Sequence, residues 1–306
     1  MKPSLFIQSS HASLEYDQAR MFNDLGYKVG GDWDIGSKQR PKIAGVTDYN
    51  ADIKDFDLVV LHQVPGYVDV MRRHLQQKKR VALVSFGQAD TWQYQALGEL
   101  CKDYPNAYVA AYSKKDHRLH LEHGCPPKKL KLLYFGKYLE DYQPWVGTEQ
   151  VCYATCNSFH KRGHGCGWHL FEKIKDQIPV VFSGKETEEV GGLGEISEPD
   201  MRERLRTSRC FLSFGTMPAA LVMTQMEAWC AGCPTVCYNN GSGLAEEKMS
   251  LLLETNVDNI VRHAKRLLTN QSYRDMWHRH SLSNAKRFDV KDVGQQWNAF
   301  ISEMFK

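Results

Sequence analysis

A chain of 306 residues exceeds a typical single domain and suffices for two of about 150 each. With 42% hydrophobic and 25% charged residues it has the composition of a globular protein rather than a disordered one, and no run of about 18 apolar residues is available to span a bilayer. The formal net charge of +3 is unevenly spread: residues 1 to 140 hold 20 Lys and Arg against 16 Asp and Glu, the remainder 19 against 20.

The first residues, Met1 to Gln8, run straight into a strand pattern with no apolar leader. Together with nine cysteines, an odd number scattered through apolar segments, this predicts a cytoplasmic protein with free thiols and no disulfide framework. Strand signals then recur at Leu5 to Gln8, Leu58 to His62, Val81 to Ser85, Ala107 to Tyr112 and Leu130 to Phe135. Helical periodicity fills the gaps at Glu15 to Leu25, Tyr67 to Gln77, Trp92 to Cys101 and Lys114 to His123. Alternation of this kind predicts a parallel sheet covered by helices on both faces. Lysine and arginine clusters at 72–73, 78–80, 114–115 and 128–131 read singly as solvated helix ends; together they add modest weight to a polyanionic partner.

The pattern lapses around Tyr142 to Gly147, where Pro144 and Gly147 mark a connector. A second series follows, with strands at Val151 to Cys156, Val180 to Ser183, Cys210 to Phe214 and Thr235 to Tyr238. Its helices are expected at Gly167 to Lys175, Pro199 to Thr207, Pro218 to Ala231, Val257 to Leu268 and Ser272 to Phe288. Two like-sized α/β domains, residues 1–145 and 146–288, are therefore expected to face a cleft. The tail, 289–306, carries Val293, Trp297, Phe300, Ile301 and Met304 at helical spacing and forms an amphipathic helix.

The most informative stretch is Met217 to Val236, in which Glu227 stands in an otherwise apolar helical run that ends at Gly232 and turns through Pro234 into a strand. Burying an ionised carboxylate without partners is expensive, so a hydrogen-bonding ligand with vicinal hydroxyls would suit it. Cys230 and Cys233 form a C-x-x-C with Cys237 close behind, and Cys152, Cys156 and Cys166 lie near His160 and His164. These invite a zinc reading, but small thiols spanning a helix end and a strand serve core packing as well, and buried structural thiols are favoured.

The stretch resembles the signature of the family-4 retaining glycosyltransferases of the GT-B fold: Glu, seven residues, Glu, then Ala, a small or apolar pair, Gly, x and Pro. The resemblance implies two Rossmann-like domains facing a central cleft, with the final helix crossing back to the first domain. It assigns the ribose of a nucleotide-sugar donor to Glu227. The family's first Glu falls on Ala219, a departure that leaves room beside the donor sugar and suggests a sugar other than plain glucose, such as a pentose, or a contact relocated to Thr216 or Thr224.

The resemblance extends to Val151 to Gly163, a strand and a loop that in the family brings Arg and Lys to the donor diphosphate. Here Arg162 stands at the Lys position with Lys161 beside it, and Asn157 stands where Arg is usual. Fixed cations there oppose the charge that gathers on a diphosphate leaving group, an effect of roughly 3 kcal/mol per contact. Thr216 and Pro218 introduce the signature helix, whose free amides attract phosphate or the donor sugar, with Ala220 beside them. Val180 to Gly184 matches the strand ending near the nucleotide base, with Gly184 at its tip, and residues 194–201 match the segment entering the next helix. Asn239 to Glu246 matches the Gly-rich turn ending in Glu, which adds Asn239, Gly241 and Glu246 to the donor contacts. In the first domain Ser9, Ser10, His11, His62 and Gln63 end strands at the edge where open parallel sheets bind ligands. Of these His62, pointing outward from its strand, is the catalytic candidate, and Ser10, His11 and Gln63 are acceptor-side.

The implied reaction is transfer of a hexosyl or pentosyl group from a nucleotide-diphosphate sugar to an acceptor hydroxyl with retention, through an oxocarbenium-like transition state. It needs no metal and no resident cofactor. The leading acceptor is a hydroxymethylated pyrimidine in double-stranded phage DNA, by analogy with compact phage enzymes and with the lysine clusters. A cell-surface glycan or small molecule, and a non-catalytic relative that binds nucleotide or nucleic acid, are the alternatives, and the chain is expected to be a monomer or weak dimer. A nicotinamide dehydrogenase is disfavoured because Gln8 to Ser13 lacks G-x-G-x-x-G.

Overall fold

The structure is a computed structural model that describes residues 2–9, 12–31, 43, 46 and 51–306. Its short apolar runs form two parallel sheets, and the chain divides by its contacts into two units: Met1–Lys137 with Asp289–Lys306, and Tyr138–Phe288. Among the described residues no helix is long and apolar enough to cross a membrane.

Unit 1 is built on a six-stranded sheet of order β2-β1-β3-β4-β5-β6. The strands are β1 (Leu5–Gln8), β2 (Val29–Gly31), β3 (Leu58–His62), β4 (Arg80–Ser85), β5 (Ala107–Ala111) and β6 (Leu130–Leu132). Every residue of β3 is buried, the mark of a central parallel strand covered on both faces. The helices are α1 (Ala12–Asp24), α2 (Tyr67–Gln76), α3 (Thr91–Asp103) and α4 (Lys114–Glu122). Helix α3 opens with a capping box between Asp90 and Gln93, and α4 with Ser113, whose hydroxyl accepts from the Asp116 amide. Strand β2 is absent from the sequence pattern because its three residues include two glycines; a Cβ on Gly30 would lie 2.4 Å from the Phe56 ring.

The tail forms α11 (Val290–Met304) and belongs to unit 1. Its entry is fixed where the Val290 amide donates to the Lys137 carbonyl at 3.0 Å. Trp297 then meets Phe22 edge to face at 5.4 Å, Tyr27 donates its hydroxyl to Asn298, and Lys131 pairs with Glu303 at 3.0 Å.

Unit 2 has a five-stranded parallel sheet of order β11-β10-β9-β7-β8. Its strands are β7 (Glu149–Thr155), β8 (Val180–Ser183), β9 (Ser208–Ser213), β10 (Thr235–Tyr238) and β11 (Leu252–Glu254). The helices are α5 (Phe159–Arg162), α6 (Trp168–Lys175), α7 (Glu198–Thr207), α8 (Met223–Ala231), α9 (Val257–Thr269) and α10 (Gln271–Ala285). Cys152 and Ala154 of β7 join Phe159, Phe171, Ile174 and Leu267 in one core cluster, while Tyr153, alternating to the other side, is equally buried. The connector expected at Tyr142 to Gly147 lies within this unit, where the Trp145 indole donates to the Ser208 carbonyl at 2.8 Å.

Two expected elements differ. The signature helix starts at Met223 rather than Pro218: residues 216–219 close a tight antiparallel bridge between Thr216 and Ala219, and Val222 is still extended. The stretch expected to be helical through Phe288 ends as α10 at Ala285 and tightens into a single 3-10 turn, Lys286–Phe288.

Candidate functional site

In unit 2 the chain runs from β7 outward to β8, then returns across β7 to place β9 on its other side. The switch point of this parallel sheet is therefore between β7 and β9. Open α/β sheets bind ligands outside the carboxyl ends of the strands at such a point. The loops that flank it, residues 156–167 and 214–222, carry most of the residues singled out by the sequence. They touch one another: the Met217 amide donates to the Gly165 carbonyl at 2.8 Å, and a Cβ on Gly167 would meet Phe214 at 2.9 Å.

The loop after β7 is knitted to the loop after β8. The Asn157 side-chain oxygen accepts from the Lys185 amide at 3.0 Å, the Ser158 amide donates to the Lys185 carbonyl at 2.7 Å, and the Ser158 hydroxyl donates to Glu186 at 2.7 Å. Gly184 allows this closeness. It has φ +135°, and a Cβ there would lie 2.2 Å from the Cys156 carbonyl oxygen. Asn157 and Gly184 thus shape the loop through chain-to-chain contacts.

Lys161 and Arg162 are both exposed but are not equivalent. Lys161 sits between Glu186 at 3.4 Å and Glu189 at 3.3 Å, and the hydrogen bond to Glu189 leads the effects that hold its ammonium above the usual lysine range. Arg162 faces no carboxylate among the described residues; its Nη1 donates to the Cys156 sulfur at 3.7 Å. Arg162 is the unneutralised cation of the pair.

The loop after β9 holds Thr216, whose hydroxyl lies 3.8 Å from the Cys166 sulfur. Ala219 and Ala220 are buried, so the space expected beside a missing carboxylate at 219 is not an opening at that side chain. Helix α8 begins after Val222, which supplies no side-chain cap, leaving its first amides toward the carboxyl edge. One turn along it is Glu227, only 4% exposed. Its field reaches Tyr153 of β7, whose phenol is raised chiefly by burial, and Arg202 of α7. Burial opposes the Arg202 charge, but Tyr142, Glu198, Asp141 and Glu227 outweigh it. Among the described residues no hydrogen bond or ion pair is seen between Glu227 and Arg162.

After β10, the Asn239 side chain accepts from the Gly241 amide at 3.3 Å, and Asn240 accepts from Ser242 at 3.0 Å while donating to the Phe214 carbonyl at 3.3 Å. Asn240, not singled out by the sequence, is what joins this turn to the loop after β9. Gly241 and Gly243 have φ of +76° and +100°. Glu246 is exposed in the following 3-10 turn, whereas its neighbour Glu247 is fully buried. The C-x-x-C cysteines, Cys230 and Cys233, and nearby Cys237 are buried free thiols.

In unit 1 the switch point lies between β1 and β3. Ser10 and His11 fall outside the described residues. His62 does not project outward as expected: it is 0% exposed, with Nδ1 2.7 Å from the Ser9 hydroxyl and Nε2 against the Gln18 side-chain oxygen. Its place at the last residue of a wholly buried strand turns it into the core. Gln63 accepts from the Phe86 amide at 2.6 Å, its side chain turned against the neighbouring backbone.

Set beside solved proteins, the chain is similar over nearly its whole length to HepE of Anabaena, a structure holding UDP and glucose, with a TM-score of 0.77, 13% identity and coverage of 98% of this chain and 99% of that one. The fold is GT-B. The sucrose-phosphate synthase of Thermosynechococcus elongatus is similar at a TM-score of 0.74 and 11% identity, covering 99% of each chain. A glycosyltransferase of Rickettsia africae follows at 0.70 and 10%, covering 100% of this chain and 99% of that one. No protein-family model matches the sequence, and no curated protein matches it. At these identities the likeness is one of architecture.

Proposed function

We propose that the protein is a glycosyltransferase that takes its sugar from a uridine-diphosphate donor held on unit 2. The observation that carries this reading is the assembly at the β7/β9 switch point: an unneutralised Arg162 on one flanking loop, and on the other a run through Thr216 into a helix bearing buried Glu227. Arg162 would face the diphosphate and gain strength as the leaving group charges. Glu227 would accept from the two ribose hydroxyls through a charge-assisted pair of bonds. Lys161, already held by Glu186 and Glu189, contributes less.

The HepE complexes with UDP-glucose and with UDP and glucose support a uridine nucleotide and a hexose. Burial of Ala219 weakens the argument for a pentose that rested on room at that position. Retention of anomeric configuration is the stereochemistry that the Glu227 signature implies, and proton NMR of the first-formed product tests it.

The reading is tested by incubating the full chain with UDP-glucose and measuring UDP release with and without a panel of sugar acceptors and hydroxymethylated duplex DNA. Release that depends on the acceptor, and falls at least a hundredfold in Glu227→Ala with the thermal melt unchanged, is expected. UDP binding to the chain with no UDP release from UDP-glucose, whichever acceptor in the panel is present, would reject the enzyme in favour of a nucleotide-binding relative.

A further inference from the structure

All nine cysteines are free thiols, and Cys156 alone among them is not buried. Two other neighbouring thiol pairs, Cys101 with Cys125 and Cys152 with Cys210, are sealed in the cores of their units. Cys156 is different. Its sulfur receives the Arg162 guanidinium at 3.7 Å, and its thiol and that of Cys166 shift one another's protonation, the Cys166 sulfur lying 3.8 Å from the Thr216 hydroxyl. The two sulfurs therefore lie between the loops that flank the β7/β9 switch point, and Arg162 sits in the segment between them in sequence.

The geometry points to Cys156 and Cys166 as a dithiol modification site that a peroxide closes into a disulfide, changing the loop that presents Arg162. The site holds no third soft ligand, since no group of three His, Cys, Asp or Glu suited to a metal occurs among the described residues. Reactivity follows from charge. The Cys166 thiol is pulled down to about 6, first by the Cys156 thiol and then by Arg162, so the pair carries one thiolate near neutral pH. That thiolate attacks the peroxide O–O bond, giving a sulfenic acid and a hydroxide that takes up a proton to become water. The second thiol attacks the sulfenic sulfur, the S–S bond forms and a second water leaves, so two thiols and one hydrogen peroxide become one disulfide and two waters.

Closure would draw the sulfurs to about 2 Å and remove the thiolate that faces Arg162. It would also constrain the short loop holding Arg162 and take Cys166 away from Thr216. On the reading of Arg162 as a diphosphate ligand, the oxidised form binds nucleotide more weakly, and a dithiol reductant restores it.

The test uses the full chain, treated with a small excess of hydrogen peroxide, alkylated and digested without reduction, with UDP as the binding probe. Peptide mapping by mass spectrometry is expected to recover a Cys156–Cys166 bridge while Cys101, Cys125, Cys152 and Cys210 stay alkylatable only after unfolding. Calorimetry should show UDP affinity at least tenfold weaker in the bridged protein and recovered with dithiothreitol. In Cys156→Ser the bridge is lost and the Cys166 sulfenic acid, with no second thiol to resolve it, runs on to the sulfinic acid. A wild-type map in which Cys166 overoxidises without engaging Cys156, or in which the buried pairs bridge first, overturns the site. Equal UDP affinity of bridged and reduced protein overturns its effect on Arg162. Should UDP bind neither form, the donor reading fails on its own and the peptide map alone decides the site.

Discussion

Arg162 and Lys161 are adjacent in sequence and opposite in availability, and a paired substitution separates them. Lys161→Ala removes an ammonium already shared by two carboxylates and should change UDP affinity less than threefold. Arg162→Ala removes an unneutralised cation, worth about 2 kcal/mol in a charge-assisted contact, or roughly thirtyfold in Kd. Titration calorimetry of the two variants under one salt condition checks the difference, and equal losses would mean that Lys161 leaves Glu186 and Glu189 when ligand arrives. Gly184 makes a purely structural prediction. At φ +135° and 2.2 Å from the Cys156 oxygen, a Cβ has no room without moving backbone. Gly184→Ala should lower stability by at least about 2 kcal/mol in chemical denaturation, and it should weaken UDP binding because the loop it displaces carries Arg162.

At the scale of elements, long periodic segments were legible and short or backbone-driven ones were not. Strand β3 and helices α2 and α3 stand where the apolar runs and periodicity put them, because burial on one face or two is written in every residue. Helix α8 begins later than Pro218 suggests, since the Thr216 to Ala219 bridge is a local backbone closure with no side-chain signature. His62 is the instructive case. Its position at a strand end was readable, but its direction was set by Ser9 and Gln18, partners more than forty residues away in sequence. His62→Ala should accordingly cost stability, about 2 to 4 kcal/mol from the stranded hydroxyl and amide, and leave UDP affinity within twofold. Asp116 of α4 offers a pH signature of the same buried kind. Burial raises its carboxyl to about 6 against the hydrogen bonds from Tyr94 and Ser85. A raised acid is stabilising while protonated, so its contribution is full below about pH 4 and is lost as pH climbs through 6, on the order of 3 kcal/mol. Melting temperatures of wild type and Asp116→Asn should diverge in the variant's favour between about pH 4 and 6 and hold a steady gap above that; a gap that does not change from about pH 4 to 8 would show that the Asp116 carboxyl is not raised in the folded state.

For the whole molecule, composition, strand–helix alternation and the Glu227 signature were enough to anticipate a GT-B chain, and solved structures at 10–13% identity share that architecture. The assembly of the candidate site was less legible. Asn240 reaches the Phe214 carbonyl, and Cys166 the Thr216 hydroxyl, through contacts made only when strands distant in sequence come side by side, and no spacing in the sequence encodes them. On the acceptor side His62 is turned inward, away from any substrate. The central claim therefore rests on the donor half, and a crystal structure of the full chain with UDP tests it most directly. The account predicts the diphosphate against the Arg162 guanidinium at the β7/β9 switch point, with both ribose hydroxyls within hydrogen-bonding distance of the Glu227 carboxylate. UDP bound elsewhere, or seated there with its ribose hydroxyls out of reach of the Glu227 carboxylate, would contradict it.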